Sequence, residues 1–178
     1  MSILASSEAV ASLHEMPLFE GIASRDVERL EHFMARFELP AGEHLFRQGD
    51  VSACMHLIER GSIEMQVEMT GGRTRALAQL GPGVLLGEIS LLGHGTRTAS
   101  AVAREATSGW ILYRGGFEML RIDGGAGSVE LMARITELAL ARLRARYEAI
   151  AAELGGDGAA AVAGKPPQVA VPAARELF

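Results

Sequence analysis

Hydrophobic positions recur at every second residue over much of the segment 38–114, which is the period of a β-strand with one buried face. The alternation is clearest over 63–69, and further strands are predicted at 75–80, 98–105 and 109–113. Turn residues separate these segments: Pro40-Ala41-Gly42, Arg60-Gly61, Thr70-Gly71-Gly72 and Gly81-Pro82-Gly83. Many short antiparallel strands at this spacing predict a mainly β domain, folded as a sandwich or a barrel.

The helical period is found on both sides of this β segment. Ser24 is predicted to cap a helix that runs to about Phe37, because apolar residues occur at three- and four-residue steps: Val27, Leu30, Met34 and Phe37. The longest helix is predicted over 128–154, which is rich in alanine, leucine, glutamate and arginine. Its apolar residues lie on more than one face, so it needs a second partner besides its own domain, or else it folds back onto that domain alone.

The remaining segments are flanks and connections. Residues 3–20 are predicted to form a short helix and a turn, interrupted by Pro17, and the glycine-rich 124–127 is predicted to be a hinge. Glycine, alanine, proline and valine dominate 155–178, which predicts a flexible tail with at most a docking segment at 173–178. The expected organisation is an N-terminal helix and turn (1–23), a β domain with a leading helix (24–127), a long helix (128–154) and a tail (155–178).

Composition limits the chain to one core and argues against several classes of function. With 178 residues, 48% of them hydrophobic, the chain can bury one core of good size but not two. Its net charge of −5 argues against a dedicated nucleic-acid surface. A single cysteine, Cys54, allows neither an internal disulfide nor an iron–sulfur cluster, and it is expected to be a small core residue. The sequence shows no signal-peptide or membrane-spanning run, so a cytoplasmic location without membrane contact is expected.

The sequence has no pattern typical of an enzyme. Its histidines are scattered over predicted helices, strands and loops without metal-ligand spacing: His14, His32, His44, His56 and His94. Nucleophile-elbow, phosphate-loop and cysteine–histidine arrangements are all missing. We therefore expect no catalytic residue, no metal and no cofactor.

The segment 80–103 holds the chemistry that the rest of the chain lacks. Arg97 offers a planar fork of donors that matches a phosphate in two-point geometry and stays charged at any cellular pH. Glu88 repels phosphate, so in the same pocket it has to accept a hydrogen bond from another group, most simply a sugar hydroxyl. Residues 87–92 are long enough for about one and a half helical turns, whose first amides would also point at the phosphate. An alternative stays open, because such a pair of residues is more often a solvated surface pair.

The whole string resembles the phosphate-binding cassette of the cyclic-nucleotide-binding domains in the catabolite-activator superfamily. The usual form there is LGPG-x-x-F-G-E-[LI]-[AS]-L, a short spacer and R-[TS]-A-[ST]. This chain has Leu80-Gly81-Pro82-Gly83, Gly87-Glu88-Ile89-Ser90-Leu91 and Arg97-Thr98-Ala99-Ser100. The departures at 84–86 are expected to alter packing only. The resemblance implies a jelly-roll-like β-roll (a double-stranded β-helix) with flanking helices, with the cassette inserted between strands and a long C-terminal helix behind it.

The resemblance also implies a ligand and a role for each residue of the motif. The ligand is cAMP or cGMP, bound as a regulatory ligand and not as a cofactor. Arg97 would pair with the exocyclic oxygens of the cyclic phosphate, Thr98 would donate to the same group, and Glu88 would accept from the ribose 2′-hydroxyl. The other motif residues predicted to line the site are Leu86, Gly87, Ile89 and Ala99.

Recognition of the base would come from the long helix, where alignment with the catabolite activator places Arg146 and Tyr147. Tyr147 would stack on either purine and Arg146 would hydrogen-bond one of them; alternatively, both are ordinary helix residues. Thr98 is compatible with cGMP, since a threonine there can reach the guanine amino group in relatives that bind it. Prevalence among bacterial relatives favours cAMP.

These inferences predict a stand-alone cyclic-nucleotide receptor that regulates an unidentified partner protein by movement of its C-terminal helix and forms a homodimer through 128–154. Bacterial relatives that read DNA have a winged helix-turn-helix after this helix, whereas 24 residues follow here, so direct DNA binding is not expected. Two alternatives stay open: a structural or protein-interaction module that does not bind a nucleotide, and a transcription regulator that acts through a separate DNA-binding partner.

Overall fold

The computed structural model describes residues 13–93 and 95–154 and has a mainly antiparallel β fold with helices on both sides of it in sequence. The described strands are β1 (Met34–Leu39), β2 (His44–Phe46), β3 (Cys54–Arg60), β4 (Ile63–Met69), β5 (Arg73–Leu80), β6 (Leu85–Leu86), β7 (Ser100–Ala103) and β8 (Thr107–Tyr113). The described α-helices are α1 (Ser24–Glu31), α2 (Glu88–Gly93), α3 (Arg114–Asp123) and α4 (Ala126–Leu154), and two short 3-10 helices precede them, Leu13–Glu15 and Pro17–Phe19. The predicted tail 155–178 and the first part of the predicted N-terminal helix lie outside the described residues.

Two four-stranded sheets form the β domain, one with the order β1-β8-β3-β6 and the other with the order β2-β7-β4-β5. In the first sheet Arg36 and Leu57 both pair with Trp110 of β8, and in the second Met65 pairs with Ala101 of β7. The predicted fold class, a mainly β roll with flanking helices and a long C-terminal helix, is confirmed. Strand β7 is shorter than the predicted strand at 98–105, because its pairing with β4 ends at Ala103.

Alternation along β3 separates two apolar clusters. Met55 and Leu57 point to one side of the sheet, where they pack with the helices and the 3-10 helices. Ile58 points to the other side, into the space between the two sheets, where Phe46 of β2 and Ile63 of β4 meet it. The helical side contributes a larger set of buried residues: Leu13, Phe19, Val27, Leu30, Leu91, Phe117, Leu120, Leu131 and Ile135. The roll therefore has an interior of its own, separate from the layer that joins it to the helices.

The leading helix is shorter than its apolar spacing predicts. Helix α1 ends at Glu31, and Met34 and Phe37 belong to strand β1. Their three-residue step fits a helix, but as a strand the segment pairs with β8 along six positions and brings Phe37 to the interior of the roll. Ser24 is the first helical residue instead of the cap, and Ala23 at the cap position provides no side-chain hydrogen bond.

Helix α3, which the hydrophobic pattern did not indicate, follows β8 directly and ends at Gly124 in the left-handed conformation, with φ of +61°. Asp123 accepts hydrogen bonds from the backbone nitrogen of Gly125 (3.2 Å) and from the hydroxyl of Ser128 (2.9 Å), and it also pairs with Arg29 of α1. The predicted hinge at 124–127 is therefore reduced to Gly124 and Gly125, since α4 already begins at Ala126.

The chain divides into two compact units, Met1–Ala139 and Leu140–Phe178, and α4 contributes to both. In the first unit Leu131 and Ile135 are buried, and Arg134 donates to the carbonyl oxygens of Leu18 (3.1 Å) and Glu20 (2.6 Å). In the second unit a row of large apolar side chains is exposed: Leu140, Leu143, Tyr147 and Ile150. Among the described residues, none of the helices combines the length and the apolar character that crossing a membrane requires.

Candidate functional site

Within the cassette the short strand β6 turns into helix α2. Gly87, the residue between them, has φ of +90°, a left-handed conformation that glycine adopts without strain. Its carbonyl oxygen accepts a hydrogen bond from the nitrogen of Leu91 (3.1 Å), which closes the first turn of the helix. The preceding turn is tied to β3, because the nitrogen of Gly83 donates to the carbonyl oxygen of Ile58 (2.8 Å).

The backbone of Arg97 is held by the turn that precedes β3. Its nitrogen donates to the carbonyl oxygen of Asp50 (2.8 Å), and its carbonyl oxygen accepts from the nitrogen of Gly49 (2.9 Å). An isolated antiparallel bridge between Val51 and Thr96 extends this contact by one residue on each side. Two loops that are far apart in sequence therefore fix the position from which the Arg97 side chain enters the protein.

The guanidinium of Arg97 lies inside the protein, and the residue is only 4% exposed. Its Nη2 donates to the carbonyl oxygen of Cys54 (2.7 Å) and lies 3.5 Å from the Sγ of the same residue, while Nη1 donates to the carbonyl oxygen of Gly87 (3.3 Å). The Cζ atom lies 4.1 Å from the centroid of the Phe46 ring, a cation–π contact. Arg97 thus connects the start of β3 with the start of the cassette helix.

Arg97 forms no ion pair with any residue that the structure describes. Burial lowers the pKa of Arg97 below its usual value, and Cys54, Asp50 and Glu88 partly offset that effect. The group stays charged, because a guanidinium does not lose its proton in a protein. The cassette therefore contains a buried positive charge whose hydrogen-bond acceptors among the described residues are two carbonyl oxygens and a thiol sulfur.

Glu88 is the first residue of α2 and is 2% exposed. Its carboxylate is close enough to Arg97 to raise the pKa of that guanidinium. The alternative of a solvated surface pair is therefore wrong, since both side chains are buried. The structure brings the predicted acid and the predicted base into one interior region.

The other predicted cassette residues differ in exposure. Leu86 and Ala99 are buried, with 3% and 2% of their surface exposed, whereas Gly87 and Ile89 are half-buried. Thr98 is exposed, so its predicted hydrogen bond to the phosphate stays a prediction.

Arg146 and Tyr147 lie in the part of α4 that belongs to the second unit, and Tyr147 is exposed. Their predicted contact with the base stays a prediction.

The sequence did not indicate the side chains that surround the Arg97 guanidinium. Cys54 is not the core residue that we expected, because it is half-buried at the start of β3 with its thiol against Arg97. Burial raises the pKa of that thiol, against the opposite effect of Arg97. His56 and Phe46 lie deeper in the roll, with ring centroids 5.9 Å apart. The period-two alternation of β3 is the signal that places Cys54, His56 and Ile58 on one interior face.

His56 is buried and neutral. Burial, reinforced by the positive charge of Arg97, lowers its pKa to about 3. Its ring also meets Phe37 edge-on at 5.4 Å, and its Nδ1 has no hydrogen-bond partner among the described residues. A charged imidazole is therefore excluded from the neighbourhood of Arg97 at neutral pH. The described residues also include no group of three or more histidine, cysteine, aspartate or glutamate side chains able to hold a metal ion.

Comparison with known proteins places the cassette in a family context. The family model described as "Cyclic nucleotide-binding domain" matches residues 36–122. The Cyclic AMP receptor protein of Thermus thermophilus is 42% identical over 98 residues, which are 55% of this chain and 45% of that protein. The chain therefore spans less than half the length of that relative.

Solved structures show the same likeness in three dimensions. The crystal structure of the Thermus thermophilus Catabolite Activator Protein aligns with a TM-score of 0.67 and 34% identity, over 75% of this chain and 61% of that one. The structure of a Cyclic nucleotide-binding-like protein from Brucella abortus aligns with a TM-score of 0.52 and 32% identity, over 60% of this chain and 91% of that one.

Proposed function

Since the chain belongs to the family of cyclic-nucleotide-binding domains, we propose that it binds a cyclic mononucleotide at the cassette and passes the bound state to a partner protein. The observation that carries this proposal is the buried Arg97 guanidinium, whose hydrogen-bond acceptors among the described residues are carbonyl oxygens and a thiol, while the carboxylates of Glu88 and Asp50 offset only part of the cost of its burial. A buried charge that is not directly paired is costly, so an anionic ligand within reach of its free donors would stabilise it. The ligand is therefore an anion.

The number of donors and of charges favours a cyclic phosphate over a linear one. A guanidinium has five N–H donors, and the contacts with Gly87 and Cys54 use three of them, which leaves two for phosphate oxygens. A cyclic phosphodiester has one negative charge, which one arginine balances, whereas a phosphate monoester has close to two. Glu88, buried beside this cation, would repel the phosphate and suits the ribose 2′-hydroxyl as a hydrogen-bond acceptor.

Of the two common cyclic nucleotides we favour cAMP. The support is the 42% identity to a protein named Cyclic AMP receptor protein. Thr98 is compatible with either base, and Arg146 and Tyr147 are the residues that we propose for contact with the purine. Loss of the Tyr147 ring would then weaken the binding of both nucleotides, since the ring would stack on either purine, whereas substitution of Arg146, which would hydrogen-bond one of them, would change the ratio of the affinities for cAMP and cGMP.

The output that we propose is a change in the position of the C-terminal helix. A ligand shifts a conformational equilibrium only by its difference in affinity for the two states, so the cassette has to be linked mechanically to α4. The Gly124-Gly125 joint and the lock formed by Asp123 with Arg29 and Ser128 are the elements that such a movement would change. The exposed apolar residues of α4 would then engage a second copy of the chain or an effector protein.

Titration calorimetry on the purified chain with cAMP, cGMP and AMP tests the binding step. We expect cAMP to bind with a Kd of about 1 µM or tighter and AMP to bind at least tenfold more weakly. Arg97→Gln should weaken cAMP binding about thirtyfold to several thousandfold, which corresponds to the roughly 2 to 5 kcal/mol that loss of a buried charge contact costs. Arg104→Gln is the matched control, since Arg104 is an exposed arginine that pairs with Glu64. If none of the three nucleotides binds at about 1 mM, the chain is an interaction module and the proposal is wrong.

A further inference from the structure

Arg114 is the first residue of α3 and lies at the junction between that helix and strand β8. Its Nη1 donates to the carbonyl oxygen of Leu91 in α2 (2.9 Å), and its Nη2 donates to the carbonyl oxygen of Ser52 (2.9 Å). Its backbone nitrogen donates to the carbonyl oxygen of Ala53 (2.7 Å). One residue therefore joins the cassette helix, the loop before β3 and the start of α3.

Two arginines bridge the same pair of backbone segments. Arg97 joins the carbonyl oxygens of Gly87 and Cys54, and Arg114 joins those of Leu91 and Ser52. Leu91 lies one helical turn after Gly87, and Ser52 lies two residues before Cys54. The cassette helix and the 52–54 segment are thus clamped at both ends, by a guanidinium fork in each case.

The two arginines project from different elements of the fold. Arg97 projects from the cassette itself and is the residue that the proposed phosphate engages with its two remaining donors, so a bound anion would pull the guanidinium towards itself and alter its contacts with Gly87 and Cys54. Arg114 projects from α3, whose Phe117 and Leu120 share an apolar cluster with the side chain of Leu91. A displacement of α2 would therefore reach α3 through one polar and one apolar contact.

We infer that Arg114 is a positioning residue that transmits the ligand state of the cassette to α3, an inference that rests on the proposed function. Ligand binding rearranges the Arg97 bridge, and the Arg114 bridge makes α3 follow the last turn of α2. Arg114 touches neither the phosphate nor the base in this scheme. Its loss separates the movement of α3 from the occupancy of the cassette while nucleotide binding continues.

Hydrogen–deuterium exchange on the full chain, with and without saturating cAMP, tests this inference. In the wild-type chain cAMP should change exchange in both α2 (88–93) and α3 (114–123). In Arg114→Gln the change in α2 should persist and the change in α3 should fall by at least about fivefold, because two charge-assisted hydrogen bonds are lost. Arg114→Lys keeps the charge but has a single nitrogen in place of the fork, and it should also lose most of the α3 response. Arg121→Gln is the control, since Arg121 lies on the same helix and pairs with Glu118 of that helix.

The outcomes separate a relay from a structural clamp. A clamp that only stabilises the fold would raise exchange in ligand-free Arg114→Gln and leave the cAMP-dependent change in α3 intact, which overturns the inference. A full α3 response in Arg114→Lys overturns it too, since one nitrogen cannot reproduce the fork.

Failure of the wild-type chain to bind cAMP defeats the proposed function instead. In that event the ligand-free exchange tests only the mechanical link between α2 and α3 that the inference requires: loss of this link in Arg114→Gln should raise exchange in α2 and in the first turn of α3 together by roughly tenfold. Unchanged exchange in either segment overturns the inference.

Discussion

The guanidinium of Arg97 occupies the space that a β-carbon on Gly87 would need. A β-carbon built on Gly87 would overlap Nη1 of Arg97 and lie 3.2 Å from the carbonyl oxygen of Cys54. Glycine at this position therefore has two functions. It permits the left-handed turn from β6 into α2, and it leaves room for the cation that we propose as the phosphate ligand.

Gly87→Ala should weaken cAMP binding at least about tenfold, because the new methyl group displaces the Arg97 fork from its position. Gly71→Ala is the matched control, since Gly71 has a nearly identical φ of +87° and open space around its Cα. Both variants force alanine into the left-handed region, at a cost of about 1 to 2 kcal/mol in the free energy of unfolding. Thermal unfolding should show a loss of stability in both proteins, larger in Gly87→Ala because its methyl group also displaces a buried guanidinium, and calorimetry should show a loss of affinity in Gly87→Ala alone. Equal affinities would show that the Gly87–Arg97 contact has no part in binding.

Glu88→Gln should reduce discrimination between cAMP and its 2′-deoxy analogue. A hydrogen bond to a charged acceptor stabilises by about 1 kcal/mol more than one to a neutral acceptor, so the ratio of the two dissociation constants should fall by roughly five- to tenfold. Competition of each nucleotide against a fluorescent cAMP derivative measures that ratio. Glu43→Gln, which alters an exposed glutamate, should leave it unchanged. A ratio that is the same in Glu88→Gln as in the wild type would remove Glu88 from contact with the ribose.

The buried His56 should make the free energy of unfolding fall as the pH drops below neutrality. The pKa of His56 is about 3 in the folded chain and 6.5 as the ordinary value, so the unfolded chain takes up a proton that the folded chain does not. The unfolded state is therefore favoured as the pH falls from 6.5 towards 3, and the loss between pH 7 and pH 5 should be about 2 kcal/mol. Cys54 and Arg97, the polar neighbours of the ring, do not change charge over this range.

Denaturant unfolding at several pH values between 5 and 7 measures this effect. His56→Phe should remove most of the slope, since a phenyl ring suits the contacts with Phe37 and Phe46. His32→Gln changes an exposed histidine and should keep the slope. An equal slope in both variants would mean that another group causes the pH dependence.

The sequence predicted the β-roll and the cassette because both depend on local patterns. Alternation over 63–69 and the turn glycines indicate strands directly. The Gly87-Glu88 and Arg97-Thr98 pairs are recognised by their spacing along the chain. The apolar steps of Val27, Leu30, Met34 and Phe37 fit one helix, but pairing with β8 turns the second half of that segment into β1. Whether that segment forms a helix or a strand depends on a partner strand about 75 residues away, and the local hydrophobic period carries no information about such a partner.

The surroundings of the site were less accessible to sequence reasoning for the same reason. Cys54, Phe46 and Arg114 contact the cassette or its arginine through the fold, and none of them lies within the motif. Arg114 in particular donates to two backbone carbonyl oxygens. Every residue has such a carbonyl, so no sequence pattern marks the two that Arg114 contacts. The sequence therefore indicated the acid and the base of the candidate site, whereas the contacts that connect them with the rest of the fold required the structure.

The exposed apolar row of α4 predicts self-association. Leu140, Leu143, Tyr147 and Ile150 follow each other at steps of three, four and three residues, the spacing of a coiled-coil seam. Each of them is about half exposed or more, with 46% for Leu143 and 59% for Tyr147. A second copy of the same helix has the matching row, so a symmetric dimer through residues 128–154 would cover it on both chains.

Leu143→Glu should shift this dimer towards the monomer. Burial of one leucine stabilises by about 1.5 kcal/mol or more, and a symmetric dimer loses two, so its dissociation constant should rise roughly a hundredfold. Sedimentation equilibrium over a range of protein concentrations measures that constant. Ala145→Glu adds the same charge on the opposite face of the helix and should leave it unchanged. A concentration of about 100 µM is well above the dissociation constant expected of a regulatory dimer. If the wild-type chain is monomeric at that concentration, the apolar row contacts an effector protein instead. If both variants dissociate alike, net charge and not the apolar seam controls assembly.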